Sequence, residues 1–260
     1  MVVIDQIGHT IELKKHPKRI VSLVPSQTEL LHEFGLDTEV VGITKFCIHP
    51  KQWFKTKERV GGTKTLHMEK IKQLSPDLII ANKEENTKAQ IEELQSMFPV
   101  WTSDISNLSE SLEMINSLGE ITNKISEAEQ LIAKISSEFQ KLSDIKTSKT
   151  ALYLIWNNPY MSVGNNTFIH DMMERMNLIN VTHSQERYPT LPIQQIQDLA
   201  PDLILLSSEP FPFKEKHRKE MENCCPQSKV VLVDGEMFSW YGSRLLKSAN
   251  YFIDLHDKIS

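Results

Sequence analysis

Two segments of the chain share nearly the same pattern of polar and apolar positions. One begins at Glu69 and reads EKIKQLSPDLII, and the other begins at Gln194 and reads QQIQDLAPDLIL. In each, a short helix-like stretch leads through Pro-Asp into a continuous apolar run, which is typical of a strand covered on both faces of a parallel sheet. Two copies of this pattern, 125 residues apart, predict two lobes of similar build.

Strand and helix patterns alternate through both halves of the chain. The first half predicts a hairpin at 2–13, strands at 19–24, 40–43, 78–81 and 100–102, and a helix at 29–34. The second half predicts strands at 151–156, 203–206 and 230–233, a helix at 165–176, and a last helix from 241 or 243 to about 255. This alternation indicates parallel sheets with crossover connections.

The strongest helical periodicity lies between the two halves. Apolar residues recur every three or four positions from Leu108 to Leu142, and no proline lies between Pro99 and Pro159. The spacing predicts one mostly continuous helix over residues 106–143, with Gly119 as the candidate position of a bend. A coiled coil is the competing interpretation, but the flanking α/β segments favour a helix that links two lobes.

These elements predict an α/β protein with two Rossmann-like lobes, each built on a parallel sheet, joined by one long helix. The predicted division is residues 1–105 for the first lobe, 106–146 for the linking helix and 147–260 for the second lobe. Ligands of open α/β sheets bind beyond the carboxyl ends of the strands. We therefore expect a ligand cleft between the lobes.

Composition and charge narrow the class of protein. The chain has 260 residues and a net charge of -5, which argues against a nucleic-acid partner. Its cysteines, Cys47, Cys224 and Cys225, are a poor disulfide framework and fit a reducing compartment. No signal peptide pattern and no long apolar run are present. As written, the sequence predicts a cytoplasmic protein, or a periplasmic or surface-anchored one if a leader was removed, and a monomer.

Aromatic residues are frequent in the loops that follow the predicted strands. Flat apolar side chains with polar tips suit a large, partly apolar ligand, although any one of them could instead pack its loop against a lobe. The aromatic residues of these loops are Phe46, Tyr160, Phe211, Phe213, Phe238, Trp240 and Tyr241.

The same loops contain two groups of residues with possible metal or charge chemistry. Cys47 and His49 combine a thiol with an imidazole, a pairing suited to transition metals, but two ligands are too few for a structural zinc site. A buried cysteine and a capping histidine are the alternative. Glu84 and Glu85 are either a charged helix start or an acidic wall that faces a cation or a ligand amide. No nucleophile elbow, phosphate-binding loop or zinc-protease motif occurs, so the sequence predicts a protein that is not an enzyme.

The run RIVSLVPSQTELL from Arg19, then VVGIT, LSPDLIIA and the long linking helix resemble the iron-chelate and cobalamin substrate-binding proteins of ABC importers. The resemblance covers about residues 2–258 and is nearest to the periplasmic cobalamin-binding members. It implies the class III periplasmic-binding-protein fold, also called the helical backbone metal receptor, and a chelate held by aromatic loops. The ligand-contacting residues that it implies are Phe46, Tyr160, Tyr188, Glu236 and Trp240.

The resemblance also implies one surface carboxylate on each lobe that docks on the permease of the importer. Glu69 occupies the first of these places, seven residues before Pro76. The matching residue seven before Pro201 is Gln194, which has no charge, although Asp198 follows one helical turn later. A permease partner is therefore expected only if Asp198 substitutes for the missing carboxylate.

The leading hypothesis is a non-enzymatic receptor for a cobalamin-like or ferric-siderophore chelate, with no intrinsic cofactor. Its rival in the same class is a receptor for haem or a bare transition metal that uses Cys47 and His49, with Met161 or Met237 as further ligands. A rival from another class is a cytoplasmic metal-trafficking factor or enzyme on the same scaffold.

Overall fold

A computed structural model describes residues 1–146 and 148–259 of the chain. They form two compact units. Unit 1 contains residues 1–104, 109–134 and 241–244, and unit 2 contains residues 105–108, 135–240 and 245–260. The predicted boundary of the second lobe, residue 147, lies outside the described residues.

Unit 1 is built on a five-stranded sheet in which all neighbouring strands are parallel, as the sequence predicts. The strand order is β5-β4-β3-β6-β7, so that β3 lies at the centre. The predicted hairpin is also present, as the antiparallel pair of β1 and β2. The strands are β1 (Val2–Ile4), β2 (Thr10–Glu12), β3 (Ile20–Ser22), β4 (Val40–Ile43), β5 (Glu58–Arg59), β6 (Leu78–Asn82) and β7 (Val100–Ser103).

Unit 2 is built on a sheet with a parallel core and an antiparallel edge. The order is β11-β9-β8-β12-β13, and β10 pairs with the first residues of β8. The pairs β8–β9 and β9–β11 are antiparallel. The sequence did not predict these pairs because β9 and β11 are very short. The strands are β8 (Lys149–Trp156), β9 (Tyr160–Ser162), β10 (Leu178–Asn180), β11 (Thr190–Leu191), β12 (Leu203–Ser207) and β13 (Lys229–Val233).

Helices connect the strands in both halves of the chain. The first half has α1 (Pro25–Glu33), α2 (Lys51–Thr56), α3 (Met68–Leu74), α4 (Lys88–Gln95), α5 (Leu108–Thr122) and α6 (Ile125–Gln140), followed by a 3₁₀ helix (Lys141–Asp144). The second half has α7 (Phe168–Arg175), α8 (Ile193–Leu199), α9 (Glu215–Cys224), α10 (Gly235–Ser239) and α11 (Leu245–Ile259).

The repeated sequence pattern has the same structure in both units. Helices α3 and α8 each end in a residue with left-handed backbone conformation, Ser75 at φ 44 and Ala200 at φ 42, directly before the proline. The buried strands β6 and β12 then follow. The left-handed residue ends the helix and turns the chain towards the strand.

The aspartate of each Pro-Asp turn binds the start of the neighbouring strand. In unit 1 the Asp77 carboxylate accepts hydrogen bonds from the backbone N–H groups of Lys18 and Arg19, at 2.7 to 3.0 Å. In unit 2 the Asp202 carboxylate accepts from the N–H and the hydroxyl of Thr150, at 2.8 and 2.7 Å. These hydrogen bonds lower the pKa of Asp202. Each aspartate therefore fixes the amino end of a central strand, β3 or β8.

The mostly continuous helix predicted over 106–143 consists of α5 and α6, which are separated by a two-residue break at Asn123 and Lys124. Asn123 has φ 58, its N–H donates to the Glu120 carbonyl at 3.3 Å, and the Lys124 N–H donates to the Gly119 carbonyl at 2.7 Å. This pair of hydrogen bonds is a Schellman motif, in which asparagine tolerates the left-handed position that ends a helix. The apolar spacing continues through the turn, so periodicity alone did not reveal it.

The units also differ from the predicted three-part division. Within the predicted linking helix, residues 109–134 belong to unit 1 and residues 135–146 fall in the range of unit 2. Residues 241–244, predicted as part of the second lobe, belong to unit 1.

The close approach of α5 and α6 at Gly119 yields the first testable prediction. A Cβ atom at this position would lie 2.5 Å from the Ala128 Cβ and 3.1 Å from the Lys124 carbonyl oxygen. Overpacking of this kind costs about 1–3 kcal/mol, and the better helix propensity of alanine offsets up to about 1 kcal/mol of it. We expect Gly119→Ala to lower the midpoint of thermal unfolding.

The exposed residue Glu113 on the same helix supplies the control, because Glu113→Ala should change stability by less than about 0.5 kcal/mol. The double variant Gly119→Ala with Ala128→Gly should show a favourable coupling relative to the two single changes. Additive effects would contradict the proposed clash.

Candidate functional site

The loop after β4 carries two of the predicted site residues with opposite environments. The Phe46 ring is 50% exposed, and the Lys45 ammonium lies 5.0 Å from its centre. The next side chain, Cys47, is completely buried. The loop thus exposes an aromatic ring at the surface of unit 1, while the buried thiol holds the loop against the unit.

The Cys47 thiol lies among hydroxyl groups. Thr28 Oγ1 donates to Cys47 Sγ at 3.1 Å, and Thr44 Oγ1 is also 3.1 Å from Sγ. Burial raises the pKa of the thiol, which disfavours the thiolate that a metal would need. Among residues 1–146 and 148–259, no group of three or more His, Cys, Asp or Glu side chains is placed to hold a metal ion. The arrangement favours the structural interpretation of Cys47, and metal binding by Cys47 and His49 stays a prediction.

A network of buried polar side chains lies at the carboxyl ends of β6 and β7 in unit 1. The Gln27 amide donates to Ser103 Oγ, and Asn82 Nδ2 donates to the same oxygen at 3.0 Å. Asn82 Oδ1 accepts from the backbone N–H groups of Glu84 and Glu85 at 2.8 and 3.0 Å. Because its members are buried and bonded to one another, the network gives the loop after β6 a fixed shape.

Glu85 is an exposed residue, but many protein atoms surround its carboxylate. Desolvation is the main cause that raises its pKa, and the charge of Glu84 adds to this effect while Lys64 opposes it. The predicted acidic pair is therefore present in one loop of unit 1. Its conformation follows from the Asn82 hydrogen bonds, and α4 begins only at Lys88, so the pair does not form the first turn of a helix.

The short segment 241–244 contributes to unit 1 in a way that the sequence did not indicate. Arg244 Nε donates to Glu29 Oε2 at 2.8 Å in a largely buried ion pair, and the Gly242 N–H donates to Ser111 Oγ at 3.2 Å. Tyr241 is buried beside the hydroxyls of Ser26 and Ser103, and burial raises its pKa well above the ordinary value. Tyr241 is thus a core residue of unit 1. Of the two interpretations of this ring, ligand contact or packing, the structure favours packing.

Unit 1 also contains an open cavity of about 540 Å³, a size that suits a small molecule. Gln6 and Ile7 of the hairpin, Ile91 of α4 and Thr102 of β7 contribute to its lining. Two ion pairs lie in its wall: Lys83 with Asp104 at 2.5 Å and Lys88 with Glu92 at 3.7 Å. Because these charges neutralise one another, the cavity offers mainly amide and aliphatic groups to a ligand.

In unit 2 the Trp240 side chain is held by Glu209. Trp240 Nε1 donates to Glu209 Oε1 at 3.0 Å, and the Ser239 hydroxyl donates to the same oxygen at 2.5 Å. The tryptophan is only 7% exposed. Its orientation is therefore fixed by a carboxylate, and most of its ring already packs against protein.

The other predicted contacts of unit 2 are partly accessible. Tyr160 lies on β9 against the core of the unit, where desolvation raises its pKa. The Tyr188 ring has the Arg187 guanidinium 5.9 Å from its centre. Glu236 lies in the first turn of α10, where its N–H donates to the capping Asp234 carboxylate at 3.1 Å.

An exposed tryptophan that was not predicted ends β8, the central strand of unit 2. The Trp156 ring is 41% exposed and lies 5.8 Å from the Phe211 ring at an interplanar angle of 65°. It closes the apolar run ALYLIW, so the sequence pattern marked it as a strand residue. The signal that could have found it is its position, because the last residue of a central parallel strand is adjacent to the ligand-binding edge.

The predicted docking residues lie on the equivalent helices α3 and α8. Glu69 is exposed and forms an ion pair with Lys72 at 2.8 Å. Gln194 and Asp198 are also exposed, and Gln194 Nε2 donates to Asp198 Oδ1 at 2.9 Å. Asp198 therefore shares the face of α8 with Gln194, as the helical spacing predicts.

A model of the periplasmic binding protein family matches residues 20–223, which include both copies of the Pro-Asp pattern. The chain belongs to the periplasmic binding protein family. This result confirms the resemblance and the fold class drawn from the sequence.

Two relatives are similar to this chain in sequence over most of its length. An uncharacterized ABC transporter substrate-binding lipoprotein, YvrC of Bacillus subtilis, is 27% identical over 260 residues, which cover 94% of this chain and 81% of that protein. The vitamin B12-binding protein of Vibrio cholerae is 26% identical over 199 residues, or 73% of this chain and 70% of the relative.

A periplasmic haem-binding protein from Pseudomonas aeruginosa has the same fold, with a TM-score of 0.81 and 18% identity over 93% of both chains. At this identity the similarity concerns the fold alone. Within the described parts of this chain, none of the helices has both the length and the apolar character of a membrane span.

The environment of Cys47 leads to a prediction about thiol reactivity. In the native protein, iodoacetamide should modify the partly accessible Cys224 and leave Cys47 intact, because Cys47 is buried and its pKa is raised. Mass spectrometry of tryptic peptides gives the readout, and labelling of all three cysteines in denaturant is the control. Modification of Cys47 as fast as Cys224 would contradict a structural role.

Proposed function

We propose that this chain is a non-enzymatic receptor for a metal chelate of the cobalamin or ferric-siderophore kind and that it serves as the substrate-binding component of an ABC importer. The observation that carries the proposal is the set of partly exposed aromatic rings at strand ends in a member of the periplasmic binding protein family. The vitamin B12-binding name of one relative supports the cobalamin alternative.

The residues of each unit suit such a ligand in complementary ways. Unit 1 offers the exposed Phe46 ring together with the carboxylates of Glu84 and Glu85. Unit 2 offers the rings of Tyr160 and Tyr188. Aromatic faces with a small number of fixed polar groups are typical of sites for large, partly apolar ligands.

Phe46 allows a direct test. Hydroxocobalamin and a ferric hydroxamate siderophore are each titrated into the protein, and binding is followed by absorption and calorimetry. We expect one of them to form a 1:1 complex, and Phe46→Ala to weaken it by about 1–2 kcal/mol because an exposed ring is lost. Met97→Ala, which removes a comparably exposed side chain of unit 1, should leave the affinity unchanged. Absence of binding by both chelates would refute the proposal.

Docking on a permease is a second part of the proposal. Glu69 on α3 and Asp198 on α8 supply one exposed carboxylate on each unit, but the Asp198 carboxylate accepts a hydrogen bond from Gln194. Charged docking points affect encounter rate and orientation more than final affinity. We therefore expect weak docking that relies on Asp198.

Co-purification with a cobalamin-type permease in detergent measures this docking. Gln194→Glu should increase the amount of permease retained, because it adds a carboxylate to the same face of α8. Asp198→Asn should decrease it, while Asp257→Asn, at the end of α11, should have no effect. Equal retention by all variants would contradict a docking role for this face.

A further inference from the structure

The cavity of about 540 Å³ in unit 1 is lined by the turn of the hairpin, the loop after β6, α4 and the edge strand β7. The hairpin is held against β7 on one side of the cavity, where the Gln6 N–H donates to the Thr102 carbonyl at 3.2 Å. The described residues that line the cavity all belong to unit 1, and they do not include Phe46, Glu84 or Glu85. The cavity is therefore separate from the residues of unit 1 that we propose to contact a chelate.

A buried hydroxyl without a partner lies in the wall of this cavity. Thr102 is only 3% exposed, and within residues 1–146 and 148–259 its Oγ1 atom has no hydrogen-bond partner. Because side chains alternate along a strand, Thr102 points to the same side of the sheet as Val100, which shares a core cluster with Ile91 of α4. The hydroxyl thus faces the side on which α4 and the cavity lie. A polar group that folding has already buried can gain a hydrogen bond from a ligand without a further cost of burial.

The rest of the wall combines aliphatic surface with balanced charge. Ile91 is 6% exposed and Ile7 is 44% exposed, and the half-buried amide of Gln95 is a further donor and acceptor. The charged side chains of the lining form the two ion pairs described above, so neither sign of charge is in excess. A charged ligand would lose hydration here without gaining an unpaired counter-charge, whereas an uncharged ligand would not.

We propose that this cavity is a separate small-molecule site, which binds an uncharged amphiphile with an amide or hydroxyl head and a short aliphatic chain. The head forms a hydrogen bond with the Thr102 hydroxyl, and the chain packs on Ile7 and Ile91. Because a hydroxyl both donates and accepts, it can pair with either the carbonyl or the N–H group of an amide. The proposal does not depend on chelate binding, since it uses none of the residues proposed for the chelate.

A matched series of ligands tests the ligand class, because hexanamide, hexanoate and hexylammonium share one chain length and differ in charge. Each is titrated into protein labelled at the isoleucine methyl groups, so that NMR reports on Ile7 and Ile91 in the cavity wall. We expect hexanamide to shift both signals with a Kd on the order of 1 mM. The two charged ligands should bind at least about tenfold more weakly, and the signal of the exposed Ile179 in unit 2 should not move. Absence of a shift with hexanamide, or equally tight binding of a charged ligand, would overturn the proposal.

Thr102→Val tests the hydroxyl, because valine has nearly the same shape and lacks the polar atom. We expect it to weaken hexanamide binding about three- to tenfold. Its midpoint of thermal unfolding should stay the same or rise, since a buried group without a partner is removed. Gln95→Ala should weaken binding about twofold, while Glu93→Ala, on the same helix but outside the cavity wall, should leave it unchanged. Unchanged affinity of Thr102→Val for hexanamide, or a clear fall in its unfolding midpoint, would overturn the proposal.

Discussion

The hydrogen bonds of two aspartates determine how the central strands of this protein begin. Asp77 binds the backbone just before β3, and Asp202 binds the first residues of β8. Each aspartate directly precedes a buried strand, β6 or β12, that pairs with the strand it fixes. The alignment of the parallel pairs β3–β6 and β8–β12 is therefore fixed at the amino ends of the strands. The short local motif that fixes it occurs twice in the sequence.

The aspartates act at the amino ends of the strands, so the loops at the carboxyl ends are left to contact a ligand. In unit 1 the buried hydrogen bonds around Asn82 and Cys47 fix loops that expose an aromatic ring and two carboxylates. In unit 2, Glu209 fixes Trp240, while Trp156 stays accessible. Each unit therefore carries an accessible aromatic ring, Phe46 in unit 1 and Trp156 in unit 2, on a surface that suits a large chelate.

The sequence predicted most of the strands and the repeat because a strand covered on both faces must be continuously apolar, and such runs can be read from the order of residues along the chain. It did not predict features that depend on single backbone positions or on tertiary contacts. The break at Asn123 follows from one left-handed residue, and the edge strands β9 and β11 are too short to show a pattern. The packing of Tyr241 in unit 1 and the exposure of Trp156 depend on partners distant in sequence.

We propose that chelate binding takes place at the carboxyl ends of the strands. Hydrogen exchange measured by mass spectrometry, with and without saturating cyanocobalamin, tests it most directly, because exchange reports local protection along the whole backbone. We expect slower exchange in the segments 45–48, 84–87, 157–160 and 234–240, and unchanged exchange near the amino ends of the strands, at 14–18 and 198–202. Protection confined to the amino ends of the strands, or no protection in any of the four segments, would contradict this location of the site.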